Sequence, residues 1–161
     1  MIQTAKKFFS FCLASLLLSS CFNAPAVSKN DYAVYSAIID SLYLADNESV
    51  PAVPVFRSVG ETRDSVPAAL AAKLFTSRVR PTVFDADSIA KSSDFWAGFN
   101  RLFPKSYGYI HFFPVVYASD DSAGTIFVRG ADKYSVHATE VRLVRKNGAW
   151  LIFDTRILWT H

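Results

Sequence analysis

The sequence predicts an α+β fold, with N-terminal helices packed on one face of a four- or five-stranded, mainly antiparallel sheet. Three observations lead there. Apolar residues recur at helical spacing through much of the stretch between Asp31 and Phe103. From Tyr109 onward the pattern changes to runs rich in β-branched and aromatic residues. Between the last two runs stands Asn147-Gly148, the strongest short-range hairpin signal in the chain. Helices first and strands afterwards is the α+β order, and the 14 Phe, 7 Tyr and 3 Trp of this 161-residue chain supply ample apolar area for one core.

The N-terminus reads as an export signal. Lys6 and Lys7 precede an apolar run from Phe8 to Leu18, and Ser19, Ser20 and Cys21 form a small-residue end. At 11 residues the run is too short to span a bilayer. The ending Leu18-Ser19-Ser20-Cys21 resembles the bacterial lipobox, which implies cleavage before Cys21 and diacylation of its thiol. The resemblance therefore divides the chain into a lipoprotein signal peptide (1–20), a lipidated tether (21–30, with Pro25) and one α+β domain (31–161). It makes membrane lipid, through acylated Cys21, the first partner, since more than one acyl chain anchors stably without a spanning helix. If the cell is Gram-negative, Phe22, at the position where an aspartate in that family favours inner-membrane retention, points to the outer membrane, on its periplasmic or surface side.

Removing the leader changes the composition argument. Lys6 and Lys7 are two of the 17 basic residues, so the remaining 15 face 14 acidic ones, a formal +1. The sequence pI near 8.9 is then no argument for nucleic acid, and no basic stripe is present to bind it. Cys12 leaves with the signal and Cys21 carries lipid, which leaves no thiol or disulfide in the domain.

Tyr32, Tyr35, Ile38, Ile39, Leu42 and Tyr43 predict a helix over 31–45, capped by Asn30 or Asp31. Val50–Arg57 contains Pro51 and Pro54, which cannot donate to a ladder, and is expected as an edge strand or an extended arm. Ser65 and Pro67 open a short helix to Phe75. Val83-Phe84 is a brief extended piece. A third helix is expected from Asp87 to Phe103, with Ile89, Phe95, Trp96, Phe99, Leu102 and Phe103 on one stripe, stopped by Pro104. Among the strands, Tyr109–Ala118 carries Pro114, which implies a bulge, bend or edge. Gly124–Arg129, Tyr134–Lys146 and Ala149–Trp159 follow. A two-residue loop at Asn147-Gly148 sets Val144 opposite Leu151, Val141 opposite Asp154 and Thr139 opposite Arg156, with Leu151, Phe153, Ile157 and Trp159 on the buried face.

Phe95-Trp96, Phe99, Pro104, Ser106, Gly108 and Ile110, continued by Gly148, Trp150 and Trp159, resemble a family of small uncharacterised bacterial proteins with the pattern FWxxFxxxxPxSxGxI and a last strand beginning GxW. The resemblance implies the same element order and no activity. A cystatin-like or NTF2-like arrangement suits that order by analogy of fold alone.

Residues able to carry chemistry are few. His111, His137 and His161 form no metal-binding spacing, so no metal and no cofactor is expected. Ser106 lies in P-K-S-Y-G, where it bonds its own turn and Gly108 supplies a positive φ. Asp85 with Asp87 reads as a helix entrance and Asp120 with Asp121 as a solvated turn. Asp154 and Arg156, two apart on one strand face, are the only candidates for a small acid–base pocket. Two principal readings of function follow: an envelope lipoprotein that binds a protein, peptide or envelope component through its sheet or an aromatic-lined edge, more an interaction module than an enzyme, or a small hydrolase or isomerase of NTF2-like shape built on Asp154 and Arg156. A structural adaptor in a membrane complex is the third.

Overall fold

The computed structural model describes residues 27–45, 52–57, 68–85, 89 and 94–161. Helix α1 (Lys29–Ile38) starts two residues before the expected Asp31. Its entrance is built by Ser28, whose N–H and hydroxyl donate to the Asp31 carboxylate at 2.9 and 2.8 Å. Asp31 acts from the third helical position, as the acidic member of a capping box, rather than as the cap itself. Val27 already packs on the core, so the fold reaches into the expected tether. The helix then widens into a π turn (Ile39–Tyr43).

Helix α2 (Ala68–Ala71) is a single turn, shorter than expected. The expected start of that helix at Ser65–Pro67 lies outside the described residues, as do Asp87 and most of the residues before Asp94. Helix α3 (Phe95–Leu102) is capped by Asp94, which accepts from the Trp96 and Ala97 N–H groups at 2.9 and 3.4 Å. It ends just before Pro104, as its sequence predicts.

The strands are β1 (Pro54–Arg57), β2 (Thr82–Asp85), β3 (Tyr109–Phe112), β4 (Val116–Ser119), β5 (Ser122–Asp132), β6 (Ser135–Lys146) and β7 (Ala149–Thr160). They form one open, mixed, seven-stranded sheet in the order β2-β1-β3-β5-β6-β7, with β4 also on β5. The expected four or five strands become seven because β1 and β2 join in parallel, to each other and to β3, and because Pro114 splits one expected strand into β3 and β4. β1 is an interior strand, contrary to its expected edge position. Pro54 is its first residue, where a missing donor interrupts no ladder.

Helices pack on both faces of the sheet, a correction to the expected single face. Successive strand residues point to opposite faces. Val55, Ile110, Phe112, Phe127, Val141 and Leu143 meet Tyr32, Tyr35, Ile38 and Ile39 of the α1 segment in the larger core. Their neighbours Phe56, Phe84 and Tyr109 meet Phe95, Phe99 and Phe103 in a smaller one on the other face. That second core is a lattice of rings, with Phe84–Phe103 at 5.1 Å and Trp96–Tyr109 at 5.7 Å between centroids.

Candidate functional site

The β6–β7 hairpin turns on Asn147 (φ 53°) and Gly148 (φ 81°), both in the left-handed region that a two-residue type I′ turn needs. Val144 faces Leu151 as expected. Beyond it the register departs: β7 inserts an extra residue at Phe153 and another at Leu158, so Asp154 faces Arg142 rather than Val141 and Arg156 faces Glu140 rather than Thr139. Asp154 and Arg156 do share a face. Asp154 Oδ2 lies 3.5 Å from Arg142 Nη1, and Arg142 Nη2 lies 3.4 Å from Glu140 Oε1. Glu140 and Arg142 are largely buried, whereas the Asp154 side chain is half exposed.

A cleft among the described residues lies on the opposite face. It measures about 170 Å³ and is lined by Leu42 and Tyr43 of the π turn and by Phe127, Arg129, His137, Thr139 and Thr155 of the long strands. Of β7 only Thr155, between the two candidate residues, reaches it; neither Asp154 nor Arg156 lines it. The Arg129 guanidinium carbon sits 5.2 Å from the centre of the Tyr43 ring. Its Nε is buried and has no hydrogen-bond partner among the described residues. The Tyr43 hydroxyl donates to Gly108 O at 3.1 Å, and burial pushes its pKa up to about 12 against the pull of Arg129. Burial, and then the positive charge of Arg129, hold the His137 imidazole below its usual range. The Arg129 side chain, an imidazole and two threonine hydroxyls line the cleft together, a set suited to a small acceptor such as a carboxylate or a peptide carbonyl.

Sequence reasoning missed this grouping. Its one legible signal was Arg129, a cation spaced two residues from Phe127 and therefore on the core face of its strand. His111 and His137 do not meet: they lie on opposite faces, paired with Val128 and Arg129 of the intervening β5. Ser106 donates to Phe103 O at 3.0 Å and Gly108 has φ 89°, as their turn requires. Asp85 ends β2, and Asp120 and Asp121 form the exposed β4–β5 turn. Among the described residues no three His, Cys, Asp or Glu side chains gather as metal ligands, and no helix is long and apolar enough to cross a membrane.

The other outstanding feature is β7 itself. Only β6 pairs with it among the described strands. Leu151 (49 %), Phe153 (57 %), Ile157 (64 %), Leu158 (42 %) and Trp159 (48 %) are exposed, which corrects the expectation that this strand turns a buried face inward. Core packing holds only its first turns of chain, at Trp150 and Ile152. No family model, no curated protein and no solved structure matches the chain.

Proposed function

We propose that the protein is an exported, lipid-anchored interaction module that offers β7 as an open pairing edge to a protein partner at the membrane surface. One observation carries the reading: a 12-residue edge strand bearing five exposed large apolar side chains. Unpaired N–H and C=O groups along such an edge template another strand, and natural proteins blunt an edge of this length unless it is used. The anchor rests on Lys6, Lys7, the run Phe8–Leu18 and Cys21. Phe22 favours the outer membrane. Within the α+β class, α1 laid against the long antiparallel strands favours an NTF2-like or cystatin-like arrangement, which brings no activity with it. The Asp154–Arg142–Glu140 group is read as structural, because it lies across the sheet from the cleft.

The test is a photo-crosslinking amino acid at Phe153, illuminated in the intact envelope. A covalent adduct of higher mass is expected. Absence of any adduct, with the protein folded and present in the membrane fraction, overturns the reading.

A further inference from the structure

We infer that the strand pairing with β7 is β7 of a second copy, antiparallel about a twofold axis through Thr155. The inference rests on β7 being an interaction edge and names its occupant.

The backbone supplies the first argument. Val136 and His161 exchange both of their backbone hydrogen bonds, at 3.1 and 2.8 Å. The even-numbered residues of β6 therefore turn their N–H and C=O groups toward β7. Their partners Leu151, Asp154, Arg156 and Trp159 bond inward, and Thr155, between two of them, is turned outward. These four positions lie symmetrically about Thr155, one and four residues away on either side, and the extra residues Phe153 and Leu158 fall in the two matching intervals. The inward-bonded positions thus read the same in either direction about Thr155, with the extra residues two before it and three after it, a spacing that an isologous contact can use.

The side chains supply the second. Centred on Thr155, the pairing sets Asp154 opposite the second copy's Arg156 and Arg156 opposite the second copy's Asp154. Both are non-hydrogen-bonded positions, where facing side chains come closest, with Cα atoms about 4.5 Å apart. Each new pair extends the Glu140–Arg142–Asp154 group already present. The same register sets Phe153 opposite Ile157 and Leu151 opposite Trp159 of the other copy, which covers the apolar residues that β7 leaves exposed. A partner of another sequence would not require this palindrome of charge and apolarity; a second copy does. Because Thr155 also lines the cleft, the two clefts meet across the axis.

The test uses the full chain in its envelope. Thr155→Cys should form a disulfide between copies, seen as a doubled mass without reductant, since a facing hydrogen-bonded pair places its Cα atoms about 5.5 Å apart, within disulfide reach. Arg156→Cys alone, displaced from the axis, should crosslink severalfold less, and the wild type sets the background. Asp154→Arg and Arg156→Asp should each weaken self-association about tenfold, because each turns two attractive pairs repulsive. Differently tagged copies of these two variants, expressed together, should pair again and co-purify, which also shows that each folds. A Thr155→Cys protein that stays monomeric overturns the self-pairing. If the Phe153 photo-adduct then contains a different protein, β7 remains an interaction edge with another occupant; if there is no adduct, both readings fall.

Discussion

At the scale of single residues, Gly108 and Gly148 share a positive φ and differ in surroundings. A Cβ on Gly108 would stand 1.9 Å from the carbonyl oxygen of Gly130, whereas one on Gly148 would meet nothing within 4 Å. Gly148→Ala should therefore cost only the left-handed penalty, about 1–2 kcal/mol. Gly108→Ala adds a backbone collision to it and should cost about 3 kcal/mol or more; urea unfolding of the two variants side by side checks the difference. His137 makes a prediction of opposite kind. Its folded pKa is lowered from 6.5, so the unfolded chain takes up the proton first. Stability is full above pH 6.5 and falls as the pH drops below it toward the lowered folded value. A melting series across that range should show His137→Asn losing less stability than the wild type, and an unchanged slope would contradict the burial assigned to the ring.

At the scale of elements, the start of α1 is fastened by Asp31, which is buried and accepts from the Ser28 N–H, the Ser28 hydroxyl and the Tyr117 hydroxyl at 2.8–2.9 Å. The last of these ties the helix entrance to β4. Asp31→Ala strands three donors and is expected to destabilise by about 2–3 kcal/mol. Tyr117→Phe removes one and should cost about 1 kcal/mol; chemical denaturation distinguishes the two. Sequence periodicity alone made the helix legible, and a polar residue at 31 made its start legible to within two positions. The bond from the Tyr117 hydroxyl to Asp31 was not legible, because the two residues stand 86 apart in the chain. In β7 the turn was legible from Asn147-Gly148 and the first pair followed from it. The rest of the register was not, because a bulge answers to the curvature of the whole sheet and leaves no residue signature of its own.

At the scale of the whole molecule, a sheet covered by α1 on one face and by α3 on part of the other leaves β7, among the described residues, as a long edge paired only with β6. On the proposed reading that edge sits close to a membrane, since fewer than ten residues separate Cys21 from the cap of α1. Cys21→Ala should move the protein from the detergent phase to the aqueous phase on detergent partitioning while leaving its circular dichroism unchanged. A wild type that stays in the aqueous phase would refute the anchor. Nearness to a surface also concentrates copies of the chain, which favours edge pairing by mass action.

What the sequence alone determined are features whose energies are local: the apolar stripe of α1, the stop at Pro104, the turn held by Ser106 and Gly108, the Asn147-Gly148 hairpin and the break at Pro114. Each is written in consecutive residues, because a period or a dihedral preference is a property of neighbours in the chain. Tertiary structure alone decided that β1 is interior and β7 the edge, that helices take both faces, and that Arg129, Tyr43 and His137 share a cleft while Asp154 and Arg156 lie across the sheet from it. Those outcomes depend on which distant segments pair and on one-residue offsets within them. A shift of one residue exchanges the two faces of a strand, and only the assembled sheet fixes that shift.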